Sequence, residues 1–167
     1  MMDVVIDRAL QQQIFAELEA AYPDEGVGFL LGAVTDGVLR VLDVVGVDNT
    51  FAPEQRRHRF ATTPQAWARL EDGVDARGLT LVGCYHSHPD SPAIPSTDDR
   101  EHALPNFSYL ITSVQDARAV EMRAWRLRDD RSRFEAAALR IIWRAARPCL
   151  FPRAGNLANF RQRSSDR

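Results

Sequence analysis

The sequence contains no lysine, since all 21 of its basic residues are arginine. No lysine on this chain can therefore receive an isopeptide-linked modifier, and the absence reads as genome-wide composition rather than function. Cysteine is scarce too: Cys84 and Cys149 are too few for a disulfide framework and read as free thiols of a reducing compartment. No apolar run approaches the ~20 residues that span a bilayer. The first ten residues carry Asp3, Asp7 and Arg8, not the basic and apolar regions of a secretory leader. The expectation is a soluble cytoplasmic protein with no membrane partner. With 167 residues, 45% hydrophobic and 26% charged, the composition suits one globular domain with its own core and argues against a fibre or wholesale disorder.

The net charge of −2 conceals a polarised chain. Residues 1–139 hold 14 arginines against 22 acidic residues, whereas residues 140–167 hold 7 arginines against Asp166 alone. This predicts a domain over 1–139 followed by a basic C-terminal extension over 140–167, part of it disordered. Such a tail reads first as a solvated, frayed terminus, and no nucleic-acid partner is expected.

Periodicity supplies the elements. Val4-Val5-Ile6 precedes a helical pattern in Leu10, Ile14, Leu18 and Ala21, which Pro23 stops. Strands are expected over Gly26–Val34 and Val38–Val47, turned by Thr35-Asp36-Gly37. A polar loop follows from Asp48 to Arg59. A second helix starts near Pro64, with Thr63 as its cap and Trp67, Leu70 and Val74 on one face, and closes at Gly78. Leu79–Tyr85 reads as a strand leading into His86, Pro89–Pro95 as a loop, and Ser96 as the cap of a short helix through Ala103. Strands Phe107–Val114 and Ala119–Leu127 flank the turn Gln115-Asp116-Ala117. Beyond Phe134 two readings stay open, because Ala136–Ala146 suits a helix and Ile141-Ile142-Trp143 suits a strand. No internal repeat or interdomain linker interrupts the chain.

The chemistry concentrates in His86-Ser87-His88-Pro89 and, after a proline-rich loop, Ser96-Thr97-Asp98-Asp99. On an extended segment residues i and i+2 share a face, with Cα atoms roughly 7 Å apart, so His86 and His88 can offer two imidazoles to one metal. Asp99, on the first turn of the helix capped by Ser96, can add a carboxylate. Two nitrogens and one oxygen on Zn²⁺ leave a position for water, the arrangement of a catalytic zinc site.

These residues resemble the JAMM motif of the MPN+ metalloproteases, a glutamate well upstream of His-x-His-Pro, six residues, Ser, two residues and Asp. Glu25, His86, His88, Pro89, Ser96 and Asp99 match it throughout. The segment Tyr22-Pro23-Asp24-Glu25-Gly26-Val27-Gly28-Phe29-Leu30-Leu31-Gly32 is also similar to that around the family's glutamate, and Asn49 and Phe60 stand where the family often places a loop asparagine and a strand phenylalanine. The likeness covers about residues 3–135. It implies an α/β (α+β) fold with the three-layer core shared by MPN and cytidine-deaminase-like domains, a curved, mainly antiparallel sheet flanked by helices. It also implies one Zn²⁺ per chain held by His86, His88 and Asp99, with Glu25 as the acid/base of a metallopeptidase or isopeptidase. Ser96 would donate a hydrogen bond to the carbonyl oxygen, a contribution typically worth ~3 kcal/mol. The motif spacing selects Asp99 over the neighbouring Asp98. Compact bacterial relatives imply a ubiquitin-like or sulfur-carrier substrate with a Gly-Gly tail, and the short loops 48–59 and 89–95 favour that class. Two departures are Cys84, where a bulky apolar residue is common, and the extension 140–167.

The alternative is a non-catalytic scaffold or binding module of the MPN type, whose mark is lost ligands. A zinc deaminase would need His-x-Glu and Pro-Cys-x-x-Cys, which Pro148-Cys149-Leu150-Phe151 does not supply. Cys84 shares the histidines' parity but reads as a small core residue. His58 reads as a loop residue and His102 as exposed on the short helix. Trp67, Trp125 and Trp143 read as core or interface aromatics. A substrate tail would pair along a sheet edge near the metal. Which leaving group departs stays open among a cysteine, a lysine side chain and downstream residues, as does the oligomeric state.

Overall fold

Alternating apolar residues build a sheet with two buried faces. In the computed structural model, which describes residues 3–49 and 77–143 together with Ala68, Leu70, Asp72 and Val74, the elements follow the sequence pattern closely. They are β1 (Asp3–Asp7), α1 (Arg8–Ala21), β2 (Val27–Thr35), β3 (Val38–Val47), β4 (Thr80–Pro89), α2 (Thr97–His102), β5 (Ser108–Gln115), β6 (Arg118–Leu127), β7 (Phe134–Ala137) and β8 (Leu139–Ile142). The strands form one sheet in the order β7-β6-β5-β4-β2-β3-β1-β8. Neighbours are antiparallel at β2/β3, β2/β4, β5/β6 and β6/β7, and parallel at β1/β3, β1/β8 and β4/β5.

Each boundary has a local cause. Asp7 caps α1 by accepting from the Ala9 N–H at 2.8 Å, and Pro23 lies two residues beyond its end. The β2–β3 turn puts Asp36 and Gly37 at positive φ, and the β5–β6 turn does the same with Asp116 and Ala117, the handedness that suits tight hairpins. Ala68, Leu70, Asp72 and Val74 are helical, and the N–H groups of Arg77 and Leu79 return to the Val74 carbonyl around Gly78, which closes that helix. Trp67, the loop residues 50–59 with His58, and Phe60 lie outside the described residues.

Ile14 and Leu18 of α1 cover one face of the sheet, in a cluster with Val4, Ile6, Leu30, Tyr85 and Leu110. The opposite face holds Phe29, Cys84, Ala103, Tyr109 and Leu127, with Leu70 packed against them. Helices thus cover both faces of an α+β sheet. Two differences from the sequence reading have physical causes. β4 does not stop at Tyr85 but continues through both histidines, because β5 runs beside it in register from Gly83↔Ser108 to Pro89↔Val114. The ambiguous segment after Phe134 is two strands. Ile141 joins the core on the α1 side, and β8 pairs in parallel with β1, so residues 140–142 lie inside the sheet instead of opening the basic extension. Residues 144–167 are outside the described residues.

Candidate metal centre

β4 lies between β2 and β5, and this double pairing buries its end almost completely. His86 and His88 are 1% and 7% exposed, on the face that also carries Cys84. The loop after Pro89 returns to fix the second ring: His88 Nδ1 lies 2.9 Å from the Pro92 carbonyl. A carbonyl can only accept, so Nδ1 carries a proton, and Nε2 is the ring atom that faces His86. Trp125 Nε1 donates to the Ala93 carbonyl at 3.0 Å and ties the same loop to β6.

Asp99 arrives from α2 through a capping box. Its backbone N–H donates to Ser96 Oγ at 3.0 Å, and its Oδ2 accepts from the Ser96 N–H at 2.6 Å and the Ser96 hydroxyl at 2.7 Å. Asp99 Oδ1 then sits 3.1 Å from His86 Nε2, Oδ2 sits 3.2 Å from His88 Nε2, and the two Nε2 atoms are 3.1 Å apart. Asp98 turns instead toward His102, at 3.8 Å. Among the described residues, His86, His88 and Asp99 form the group of three able to hold a metal ion. Three electron-pair donors converging on one point repel one another unless a proton or a cation lies between them.

The electrostatics follow from burial. Burial holds the His86 imidazole below its usual pKa, against the pull of Asp99, which favours the neutral ring a metal needs. Burial alone would raise the Asp99 carboxyl, but hydrogen bonding to His86 and His88 holds it well below the usual carboxylate range. Glu25 is 6% exposed, and burial followed by the nearby charges of Asp99 and Asp98 pushes its carboxyl from 4.5 up to about 9. Val27 pairs with His86 across the antiparallel β2–β4 ladder, so the same register carried two residues back sets Glu25 opposite His88 on the histidines' face.

The structure therefore gathers Glu25, His86, His88, Ser96 and Asp99 at one end of β4. Ser96 uses its hydroxyl hydrogen on Asp99 in this arrangement. Two supporting residues had only weak signals in the sequence. Ser87 Oγ accepts from the Gly26 N–H at 2.9 Å, and Asn49 Nδ2 donates to the Glu25 carbonyl at 3.0 Å. Together they pin the backbone on either side of the Glu25–Gly26 peptide. A small polar residue between two histidines on an apolar strand was the signal for Ser87. Cys84 is buried in the second core. His102 is exposed on α2, and Trp143 is 80% exposed beneath the Arg8 guanidinium, so it is not a core residue of this chain. β4 lies between β2 and β5, its β2 ladder reaching His86 and its β5 ladder Pro89, and the described sheet has its edges at β7 and β8.

Comparisons with known proteins identify relatives of this chain. The family described as prokaryotic homologs of the JAB domain matches residues 7–128. The chain is 34% identical over 92 residues to the desampylase of Haloferax volcanii, covering 54% of this chain and 63% of that protein, so the match spans less than two thirds of that relative. It is 30% identical over 114 residues to a probable TtuB-protein conjugate cleaving protease of Thermus thermophilus, covering 68% and 72% of the two chains. The CysO-cysteine peptidase of Mycobacterium tuberculosis is 27% identical over 128 residues, covering 75% and 84%. A solution structure from Salinibacter ruber is similar with a TM-score of 0.65 at 38% identity, covering 84% of this chain and 92% of that one. One from Desulfitobacterium hafniense has a TM-score of 0.73 at 22% identity, covering 84% and 94%, and speaks for the fold alone.

Proposed function

The chain belongs to the prokaryotic JAB-domain family, and from that membership we propose that it is a zinc metallopeptidase hydrolysing an amide or isopeptide bond at the C-terminal Gly-Gly of a ubiquitin-like or sulfur-carrier protein. Relatives named for cleaving TtuB conjugates, for desampylation and for CysO-cysteine support that substrate class. The observation that carries the reading is the spacing of the donors. A tetrahedral ion with bonds of ~2.0–2.1 Å needs donor atoms roughly 3.3 Å apart. Here the two Nε2 atoms are 3.1 Å apart, each lies 3.1–3.2 Å from one oxygen of the Asp99 carboxylate, His86 from Oδ1 and His88 from Oδ2, and one ligand atom from each residue lies within 4.8 Å of the others. Two imidazoles and one carboxylate are a donor set that suits zinc.

A zinc ion held by His86, His88 and Asp99 would polarise the scissile carbonyl and make a water molecule acidic near neutral pH. Glu25 moves the proton. The water oxygen bonds to the carbonyl carbon while Glu25 accepts its proton, and the carbon–nitrogen bond breaks as that proton passes to the departing nitrogen; the remaining acid proton then also moves to the amine, leaving a carboxylate and an ammonium group. A Glu25 carboxyl held near 9 is neutral at pH 7 and cannot act as a base. A divalent cation held by His86, His88 and Asp99 would oppose the charge of Asp99 and favour the ionised form of Glu25. Ser96 orients Asp99 and, once its hydroxyl turns from Oδ2, donates to the developing oxyanion. Ser87 and Asn49 fix the backbone of the base.

The test combines metal content of the wild type and Glu25→Ala with cleavage of a carrier bearing an extension after Gly-Gly. The expected result is one zinc per chain in both proteins and cleavage only by the wild type. Absence of zinc from both would overturn the enzyme reading in favour of a binding module.

A further inference from the structure

Beside Ser96 a cleft of about 250 Å³ runs along the outer side of α2. Its walls are Ile94, Trp125 and Phe134, and its polar groups include Arg100 and Arg133. We propose that this cleft receives the leaving group of the hydrolysis, and that Arg100 and Arg133 select a leaving group of one or two residues ending in a free carboxylate. The inference rests on the metallopeptidase reading for the reaction and on the cleft alone for the selectivity.

Position comes first. Ser96 lines the cleft and donates its hydroxyl to Asp99, so one residue is shared between the cleft and the group of His86, His88 and Asp99. Size comes second. Small-molecule sites usually run to ~300–1,000 Å³, so a cleft of about 250 Å³ suits an amino acid rather than a folded partner. Charge comes third. Arg100 meets no carboxylate among the described residues, and its guanidinium reaches only the Ser132 carbonyl, at 3.4 Å. Arg133 lies 3.3 Å from Glu135, which is equally close to Arg128, and Arg128 also lies 3.7 Å from Asp130, so Arg128 and Arg133 have two acids beside them. The charged residues that line the cleft are Arg100 and Arg133, with no acid among the lining, so its surface is positive and Arg100 carries the charge that no described carboxylate meets. Guanidinium forks match the planar geometry of a carboxylate, while the aromatic and aliphatic walls accept its carbon stem. Trp125 is braced by its bond to Ala93, and Phe134 meets Tyr109 edge-on with ring centroids 5.4 Å apart, so both walls stand on the core beneath.

Two readouts test the cleft. The first titrates L-alanine and L-alaninamide into the metal-free full chain, where no metal can capture the carboxylate, while following the Trp125 indole N–H by NMR. Alanine is expected to shift that signal, alaninamide to shift it at least tenfold more weakly, and an Arg100→Ala/Arg133→Ala double variant to lose the distinction. Equal response to acid and amide, or a preference that survives in the double variant, overturns the proposal. The second readout compares kcat/KM of the zinc-loaded wild type and double variant on carriers ending in Gly-Gly-Ala, its carboxamide, and Gly-Gly-aspartamide. The wild type is expected to favour the free terminus about tenfold or more, and the variant to bring that ratio near one. A preference that follows the aspartate side chain instead of the chain end overturns the assignment. A chain that cleaves none of the carriers removes the hydrolase reading, while the indole titration still decides whether the cleft selects carboxylates.

Discussion

At the candidate metal centre two buried carboxylates end on opposite sides of the usual carboxylate range. Burial, and then the negative charge of Asp99, raises Glu25 to about 9, whereas hydrogen bonds from two imidazoles and from Ser96 hold Asp99 low against the same burial. The raised group binds its proton more tightly in the folded chain than in the unfolded one. Its stabilisation is therefore complete below pH 4.5 and drains away as pH climbs toward about 9. Thermal unfolding of the metal-free chain should show that fall relative to Glu25→Gln, and saturating zinc should flatten it. His86, lowered by burial, acts with the opposite sign: its contribution is present above 6.5 and is lost as pH falls. Subtracting the Glu25→Gln profile isolates Glu25. Ser96→Ala separates two roles for one hydroxyl. Loss of an oxyanion donor lowers kcat by roughly 10²–10³ with zinc affinity retained. Loss of a brace on Asp99 instead weakens zinc binding about 10–100-fold. Zinc titration and kcat measured on the same variant distinguish the two.

At the scale of elements, the position of β4 depends on what β2 leaves empty. Gly28 stands across from Tyr85, and a Cβ at that position would lie 2.2 Å from the Tyr85 ring. The ring cannot retreat, because its hydroxyl bonds Glu17 of α1 and its body fills the main core. Gly28→Ala should therefore destabilise by about 1–3 kcal/mol, visible as a lower midpoint in urea. It should also weaken zinc binding, since Tyr85 immediately precedes His86. Asn49→Ala removes the donor to the Glu25 carbonyl and should lower kcat with zinc content unchanged. The extent of β4 was not readable from its own residues. Proline at 89 and the polar Ser87 suggest a strand end, yet the parallel neighbour β5 supplies pairing partners through Pro89. Strand length is settled by the partner's register, which is non-local.

Across the whole molecule, a metal that binds only the folded chain stabilises it by mass action. At a free zinc concentration 100 times Kd this amounts to ~2.7 kcal/mol. For a chain of this size chelation should then lower Tm by roughly 5–10 °C. No change in Tm on chelation would count against a preformed site. Among the described residues no helix is long and apolar enough to cross a membrane. The order of α1, the two hairpins and α2 was legible from apolar spacing, Pro23, Asp36-Gly37 and the Ser96 cap, because those signals act within a few residues. So was the grouping of His86, His88 and Asp99, since His86 and His88 share a strand face and Asp99 stands at a fixed offset from Ser96. Tertiary structure alone decided that Phe134–Ile142 becomes two strands at opposite edges, and that Ser87 and Asn49 hold the backbone of Glu25. It alone set two arginines around a cleft beside Ser96. These outcomes depend on residues 135 positions apart meeting across one sheet, as Val4 pairs with Leu139, and no local pattern of side chains encodes such a meeting.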